Sequence, residues 1–381
     1  MANPYILYGS YASYHTAKIR SYLLKKGIPF VERVPAVPRF RDYVRKESQN
    51  HRIPQLETPE GEVIQDSLLI FDALEVRHPL PAAWPPGIRQ QLAARLLALL
   101  IDSTLGISAW HYRWNYKDEH YAFVGKEFGR SFRPQGDDAE LVHYGDVIAE
   151  RMEGKRAALG DSEALRPVFE ETYLDALDIL EQQFRHYPYL FGGLPSIADH
   201  ILMGPLFGHL ARDPVPAHIM KLRAPRVFRW TEHMNSPAIS SPEHADIPDA
   251  YLENDDIPDS TRDFLALCVS QVSHNLLESV ELYNKWAAAS ELKPGEHLGE
   301  EGRHEPVVAR FEGMLRGVPS QESVQSYNIW AIQRFLDWRD SLDREQRAAC
   351  EALLEGPGGA ELMQLHIERR LTRQGPYMAF A

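Results

Sequence analysis

The proline-rich segment at residues 79–87 interrupts the hydrophobic pattern of the chain. It contains four prolines and ends at Gly87, a composition that neither a helix interior nor a central strand tolerates. Short apolar runs precede this segment, and long stretches with helical spacing follow it. A second break at residues 236–242 leads into an acidic, proline-containing stretch. We therefore expect the 381 residues to form three units, at residues 1–80, 86–241 and 242–381.

The first unit alternates between strand and helix patterns. Four short apolar runs are typical of strands, and two longer segments carry apolar side chains at helical spacing. In chain order these are residues 5–8, 14–26, 29–34, 53–57, 62–64 and 67–77. Gly27 ends the first helix pattern, and Pro59 with Gly61 marks the turn of a hairpin. This order predicts an α/β thioredoxin-like N-terminal domain.

The rest of the chain is mainly helical by its spacing of apolar residues. The helical segments of the second unit are residues 88–112, 138–158, 163–186 and 196–211. Those of the third unit are residues 260–292, 321–341, 344–355 and 359–372, with an apolar stretch of ambiguous type at residues 307–318. Ser196 and Asp199 match a capping box at a helix start. We expect an all-α helical domain followed by an additional, mainly helical C-terminal region.

Charge and hydropathy indicate which partners the chain can have. The formal net charge of −13 disfavours binding to nucleic acid, since no basic stripe offsets it. Residues 1–80 carry 11 Lys and Arg against 9 Asp and Glu, so this unit suits a small anionic ligand best. No apolar run reaches the roughly 20 residues of a membrane-spanning helix, and the start lacks a signal-peptide pattern. We expect a cytoplasmic location and neither nucleic-acid nor membrane partners.

Several catalytic signatures do not occur in this sequence. It has no glycine-rich nucleotide loop, no HExxH zinc motif, no GxSxG nucleophile elbow and no CxxC pair. Cys268 and Cys350 are too few for a disulfide framework or a zinc site, and they fit buried apolar positions. We therefore expect no metal and no reactive cysteine.

Three segments of the first unit contain candidate binding residues. A cis Ile53–Pro54 bond would turn the backbone of Ile53 toward a peptide ligand, although a trans proline at a strand edge is the more frequent form. Residues 65–67 (Gln-Asp-Ser) precede a helix whose free amides suit an amino-acid head group, or they only cap it. The loop at residues 10–16 can favour a bound thiolate, or its serines only cap the next helix.

Together these segments resemble the N-terminal domain of a glutathione S-transferase. The resemblance covers residues 5–78 and rests on the serine-rich loop, on Lys-Ile-Arg in the first helix and on two longer motifs. The motifs are Arg-Ile-Pro-Gln-Leu-Glu at residues 52–57 and Ile-Gln-Asp-Ser-Leu-Leu-Ile at residues 64–70. Residues 192–199 are similar to the family's helix-capping motif, and the chain departs from typical members beyond about residue 242. The resemblance implies glutathione as co-substrate, no metal, and a homodimer.

The resemblance also implies roles for individual residues. Glutathione contacts fall on Ile53, Pro54, Gln65, Asp66, Ser67, His51 and Arg52. Ile53, before a cis Pro54, would pair its backbone with the cysteinyl part. Asp66 and Ser67 would hold the γ-glutamyl end, and His51 or Arg52 would neutralise the glycyl carboxylate.

Ser13 matches the position of the thiol-activating serine in zeta-like members of the family. Its hydroxyl, donating to sulfur, would bring the thiol pKa from about 8.5 closer to neutrality. Ser10, Tyr14 and Tyr8 are rivals for this role. The N-terminal unit contains no cysteine, which argues against mixed-disulfide chemistry.

An acceptor pocket is expected between the first two units. Trp110, Tyr112, Trp114 and Tyr116 would line it, or would pack in the core or at a dimer interface. The expected function is a glutathione transferase-like enzyme that activates the glutathione thiol for attack on a small electrophile. The alternatives are a non-catalytic ligand- or partner-binding module with this fold, and a glutathione-dependent isomerase or lyase.

Overall fold

The computed structural model describes residues 3–154, 162–299, 304–354 and 358–381. Its N-terminal part contains the four predicted strands and two predicted helices in the expected order, together with a short helix, α2, that was not predicted. They are β1 (Tyr5–Tyr8), α1 (Tyr14–Lys25), β2 (Phe30–Arg33), α2 (Arg45–Glu47), β3 (Gln55–Glu57), β4 (Val63–Gln65) and α3 (Ser67–Arg77). The strand order is β2-β1-β3-β4, with β1 parallel to β2 and the other pairs antiparallel. The predicted thioredoxin-like α/β domain is confirmed.

Local signals account for this domain. Leu7 and Leu56 pair across the central strands, and both side chains are fully buried. The side chain of Ser13 caps α1 by accepting a hydrogen bond from the Thr16 amide. Gly27 follows α1 with φ of 63°, a backbone conformation that glycine adopts without steric cost, and thereby allows the chain to turn into β2.

A helical layer packs against this domain. Its helices are α4 (Ile88–Asn115), α5 (Lys117–Arg130), α6 (Asp138–Glu153), α7 (Arg166–His186), α8 (Ile197–Pro205), α9 (Pro214–Arg223) and α10 (Pro225–Met234). By length and composition α4 could cross a membrane, but it is a core helix here, packed against α7 and α8. Ser196 and Asp199 form the predicted capping box at the start of α8.

The sequence analysis did not identify α5. This helix is largely polar, and glycines provide part of its contact with α6. A Cβ on Gly129 would lie 2.0 Å from the Leu141 carbonyl oxygen, and one on Gly145 would lie 2.2 Å from that of Gly125. The two helices therefore approach too closely for larger side chains at these positions, and hydrophobic spacing gave no signal for α5.

The C-terminal region combines helices with two hairpins. Its elements are α11 (Asp259–Ala289), β5 (Val307–Leu315), β6 (Val318–Gln325), α12 (Ser326–Asp340), α13 (Arg344–Leu353), α14 (Gly359–Leu362), β7 (Leu371–Gln374) and β8 (Tyr377–Phe380). The prediction of a helix over residues 359–372 was wrong, because only the first turn of this segment is helical and β7 follows it. Arg316 and Gly317, both at positive φ, close the β5–β6 hairpin as a two-residue turn. Helices α11, α12 and α13 all contact α4, so this region shares one hydrophobic core with the other two.

Candidate functional site

The strand register brings the three candidate segments to one edge of the sheet. Tyr8 at the end of β1 pairs with Gln55 at the start of β3, and Gln55 pairs with Gln65 at the end of β4. The segments that follow Tyr8, precede Gln55 and follow Gln65 therefore leave the sheet on the same side. They carry Ser13, Ile53 and Asp66 respectively.

Ser13 is partly exposed in the first segment, and its hydroxyl keeps its proton available. Its Oγ accepts from the Thr16 amide at 3.2 Å, and within the described ranges no acceptor takes its proton. Ser10 is buried, and its carbonyl oxygen accepts from the Ser13 amide. The hydroxyl of Ser13 lies at the N-terminus of α1, where free amides and the helix dipole favour an anion.

The two tyrosine rivals are both engaged elsewhere. The hydroxyl of Tyr8, buried in the sheet, donates to Glu57 at 2.8 Å, and Glu57 also pairs with Arg39. Tyr14 donates to Asp102 of α4 at 2.8 Å, next to the ion pair of Lys18 with the same carboxylate. Burial and the neighbouring carboxylate raise the pKa of both tyrosines, so neither is a source of phenolate at neutral pH.

The second segment presents the backbone of Ile53. The Ile53–Pro54 peptide bond is cis. The side-chain amide of Gln55 donates to the carbonyl oxygens of Asn50 and Arg52, both at 2.9 Å, and so holds the loop in place. In the described part of the chain no group bonds to the N–H or C=O of Ile53. This main chain can pair with an extended peptide.

The third segment forms the N-terminus of α3. Asp66 is its N-cap, at φ of 92°, and Oδ1 accepts from the amides of Leu68 and Leu69 at 2.9 and 3.4 Å. Ser67 is buried, its amide has no intrahelical acceptor as the first of the helix, and its hydroxyl bonds to no described residue. Gln65 ends β4 directly before them.

His51 and Arg52 lie in a positively charged surrounding. Partial burial lowers the pKa of the His51 imidazole, and the neighbouring charges of Arg151, Arg45 and Arg52 lower it further. Arg52 is half exposed and pairs with Glu305 of the C-terminal region. Arg52 can attract an anionic group, although it already pairs with a carboxylate, whereas the lowered pKa of His51 favours its neutral form.

The C-terminal region also reaches Asp66, which the sequence analysis did not foresee. The Tyr327 hydroxyl donates to Asp66 Oδ2 at 2.9 Å, and Arg373 Nη1 lies 3.3 Å from the same oxygen. Arg373 Nη2 donates to Gln65 Oε1 at 3.2 Å. These partners lie 261 and more residues away along the chain, so no local pattern could have indicated them.

The comparisons with known proteins place this domain. Residues 7–82 match the sequence model of the glutathione S-transferase N-terminal domain. Residues 7–82 are therefore a domain of the glutathione S-transferase N-terminal type. No protein of curated function matches the sequence.

Several solved structures are similar to this chain at low identity. A glutathione S-transferase from Methylobacterium radiotolerans, in complex with glutathione sulfonate, is 20% identical with a TM-score of 0.37, over 68% of this chain and 99% of that chain. A beta-etherase from Sphingobium is 18% identical with a TM-score of 0.43, over 64% of this chain and 97% of that chain. A maleylacetoacetate isomerase from Anaeromyxobacter dehalogenans, with bound dicarboxyethyl glutathione and citrate, is 20% identical with a TM-score of 0.32, over 67% and 97%.

The four aromatic residues of the expected acceptor pocket are not equivalent in this structure. Tyr112 and Trp114 are 2% and 3% exposed and pack in the core, as one of the alternatives anticipated. Tyr116 is partly exposed, stacks on Tyr112 and donates to Glu170 at 2.7 Å. Trp110 is partly exposed beside Trp114. Only Trp110 and Tyr116 of these four can contribute surface to a pocket.

His15 is a residue at the junction of the domains to which the sequence analysis gave no role. It is solvent-accessible, directly follows Tyr14 in α1, and lies within electrostatic reach of Asp66 on one side and Asp102 on the other. Partial loss of hydration and the charge of Lys18 lower the pKa of this imidazole. The imidazole is therefore neutral at pH 7 and can donate or accept a hydrogen bond there.

The cysteines and acidic residues provide no further chemistry. Cys268 and Cys350 are buried, and burial raises their thiol pKa values to about 12 and about 11. Such thiols are unreactive. Among the residues that the structure describes, no three His, Cys, Asp or Glu side chains are grouped to hold a metal ion.

Proposed function

We propose that this chain binds glutathione along the sheet edge that carries Ser13, Ile53 and Asp66, and activates its thiol for attack on a small electrophile. The observation that carries the proposal is the convergence of three features, each with a hydrogen-bonding group that no described residue uses. These are the hydroxyl of Ser13, the main chain of Ile53, and the amide and hydroxyl of Ser67. They match, in order, a thiol, a cysteinyl backbone and an amino-acid head group.

The proposed mechanism assigns one task to each segment. Ile53 aligns the cysteinyl residue by main-chain hydrogen bonds, which fixes the sulfur near the N-terminus of α1. The Ser13 hydroxyl donates to that sulfur and favours the thiolate, whose proton leaves to solvent. The thiolate then forms a bond to an electrophilic carbon, and the leaving group departs with its electron pair. The charge of Arg52 neutralises the glycyl carboxylate, and the imidazole of His51 can donate a hydrogen bond to it.

Binding and turnover test this proposal separately. Titration calorimetry is expected to give saturable glutathione binding, and saturation is expected to raise the melting temperature. Turnover of an aryl halide is expected to fall in Ser13→Ala with little change in glutathione affinity. Asp343→Ala is the matched control, because it also removes an N-cap but at α13, outside the site. Absence of binding at millimolar glutathione, or full turnover by Ser13→Ala, would contradict the proposal.

A non-catalytic binding module is the second candidate. The contacts of Glu305 with Arg52 and of Tyr327 with Asp66 favour it, since they occupy groups that glutathione would use. Glutathione binding without turnover of any electrophile tested would support this candidate. The expected homodimer and cytoplasmic location belong to the proposal as well, and sedimentation analysis of the purified chain tests the dimer.

A further inference from the structure

The last hairpin of the chain places an arginine against the N-terminus of α3. Arg373 belongs to β7, and its guanidinium lies next to Asp66 and Gln65, with Tyr327 on the same carboxylate. The Arg373 side chain is 6% exposed and that of Asp66 is 11% exposed. A guanidinium from the C-terminal region is thus buried at the place where the γ-glutamyl end of glutathione is proposed to bind.

The hydrogen bonds of this guanidinium are incomplete. Nη2 donates to Gln65, but Nε and Nη1 are buried and donate to no acceptor among the described residues, in spite of the nearby Asp66 carboxylate. Buried donors without acceptors are costly, and the cost is larger for charged groups. A guanidinium binds carboxylates through its fixed set of N–H groups. The arrangement therefore favours an anionic oxygen ligand at this point.

Other donors meet at the same place. The Ser67 amide is the first of the 11-residue helix α3, and the positive end of the helix dipole lies there. The Ser67 hydroxyl is a further donor. Asp66 adds one negative charge beside the positive charge of Arg373. A ligand group with one carboxylate and one ammonium complements both charges, whereas a simple carboxylate pairs only with Arg373 and leaves Asp66 without a ligand partner.

We propose that Arg373 is a glutathione-binding residue, whose guanidinium receives the α-carboxylate of the γ-glutamyl group while Asp66 receives its ammonium. This inference rests on the proposed function, because it names a contact within the same site. Tyr327 would remain a donor to Asp66 and position that carboxylate. The C-terminal hairpin then completes the head-group subsite of the N-terminal domain.

The test compares two ligands on variants of the full chain. The ligands are glutathione and its analogue that lacks only the α-carboxylate of the γ-glutamyl residue. Calorimetry on Arg373→Ala is expected to show glutathione affinity reduced about 10- to 100-fold, the range for a hydrogen-bonded charge pair. The analogue is expected to bind the wild-type chain and Arg373→Ala equally. Arg370→Ala is the matched control, since Arg370 precedes β7 and pairs with Asp337 at the surface.

Each outcome has a distinct meaning. Tighter glutathione binding by Arg373→Ala would overturn the inference and show that the arginine competes with the ligand. An equal loss for both ligands would also overturn it, because the role of Arg373 would then be structural. If Arg373→Ala does not fold, the two affinities of the wild-type chain provide the test. The inference requires the wild-type chain to bind glutathione at least about 10-fold more tightly than the analogue. Absence of wild-type binding to either ligand would instead refute the proposed function, and this inference with it.

Discussion

A buried ion pair ties the loop of Ser13 to the helical domain. Arg113 of α4 donates to the Asp213 carboxylate through Nε and Nη2 at 2.8 and 2.7 Å, and the two side chains are 4% and 1% exposed. The same guanidinium donates to the carbonyl oxygens of Ala12 at 3.3 Å and Gly208 at 3.1 Å. Asp213→Asn would leave this arginine buried without its counter-charge, directly beside the residue that precedes Ser13.

The expected cost follows from the burial of the pair. Breaking a buried ion pair from one side destabilises a protein by about 3–5 kcal/mol, because the remaining charge stays desolvated. The chain offers a matched control in Arg223 and Asp178, a two-bonded pair at 2.7 and 2.6 Å whose side chains are 44% and 53% exposed. Exposed pairs contribute about 0–1 kcal/mol. Asp213→Asn should therefore lower the free energy of unfolding by several times as much as Asp178→Asn.

Urea unfolding, followed by far-ultraviolet circular dichroism at low and high salt, measures both effects. Salt should reduce the small contribution of Asp178 and leave that of Asp213 nearly unchanged, since screening acts mainly on exposed charges. In folded Asp213→Asn, turnover should fall more than glutathione affinity, because Arg113, which holds the Ala12 carbonyl, loses the carboxylate that positions it, while the surroundings of Ile53 and Asp66 are unchanged. Equal losses of stability in the two variants would refute the argument that burial decides the cost.

Three further outcomes are expected. Ser13→Ala should raise the pKa of the bound glutathione thiol by about 1–2 units, read from thiolate absorbance, since a hydrogen bond to a charged group contributes about 1.5–3 kcal/mol. Asp199→Ala should lower the free energy of unfolding by about 2–4 kcal/mol in urea, because the buried amides of Leu190 and Ser196 lose their acceptor. Burial lowers the pKa of His200 well below its ordinary value, so the unfolded chain takes up its proton first. Stability should then fall as the pH decreases below about 6.5, with a weaker slope in His200→Gln.

The N-terminal domain was predictable because its signals are local. Gly27 and the turn at residues 58–61 mark the ends of elements, and short apolar runs mark the strands between them. The edge that carries Ser13 and Asp66 follows from strand order, which the resemblance implied. The sequence did not predict which side chains are buried. The burial of Tyr112, for example, depends on how α4 packs against its neighbours.

The C-terminal region shows where local reasoning fails. The run at residues 307–318 was ambiguous because a half-buried hairpin and a helix share apolar content, and two residues at its turn decide between them. Residues 359–372 carry helical spacing, yet β7 begins at Leu371, whose amide and carbonyl both bond to the Gln333 side chain. Gln333, 38 residues away, thus fixes the conformation of the chain at Leu371. This tertiary contact overrides the local preference for a helix.

The contacts between the C-terminal region and the site connect ligand binding to the docking of that region. Glu305, Tyr327 and Arg373 come from three different places in the region, and all meet residues proposed to bind glutathione. Mere packing against the domain would not require polar partners at these positions. Whatever the direction of the coupling, it is reciprocal, because a ligand that strengthens or displaces these contacts changes their stability by the same free energy. Glutathione should therefore alter hydrogen exchange in β7 and α12, far along the chain from the domain that binds it.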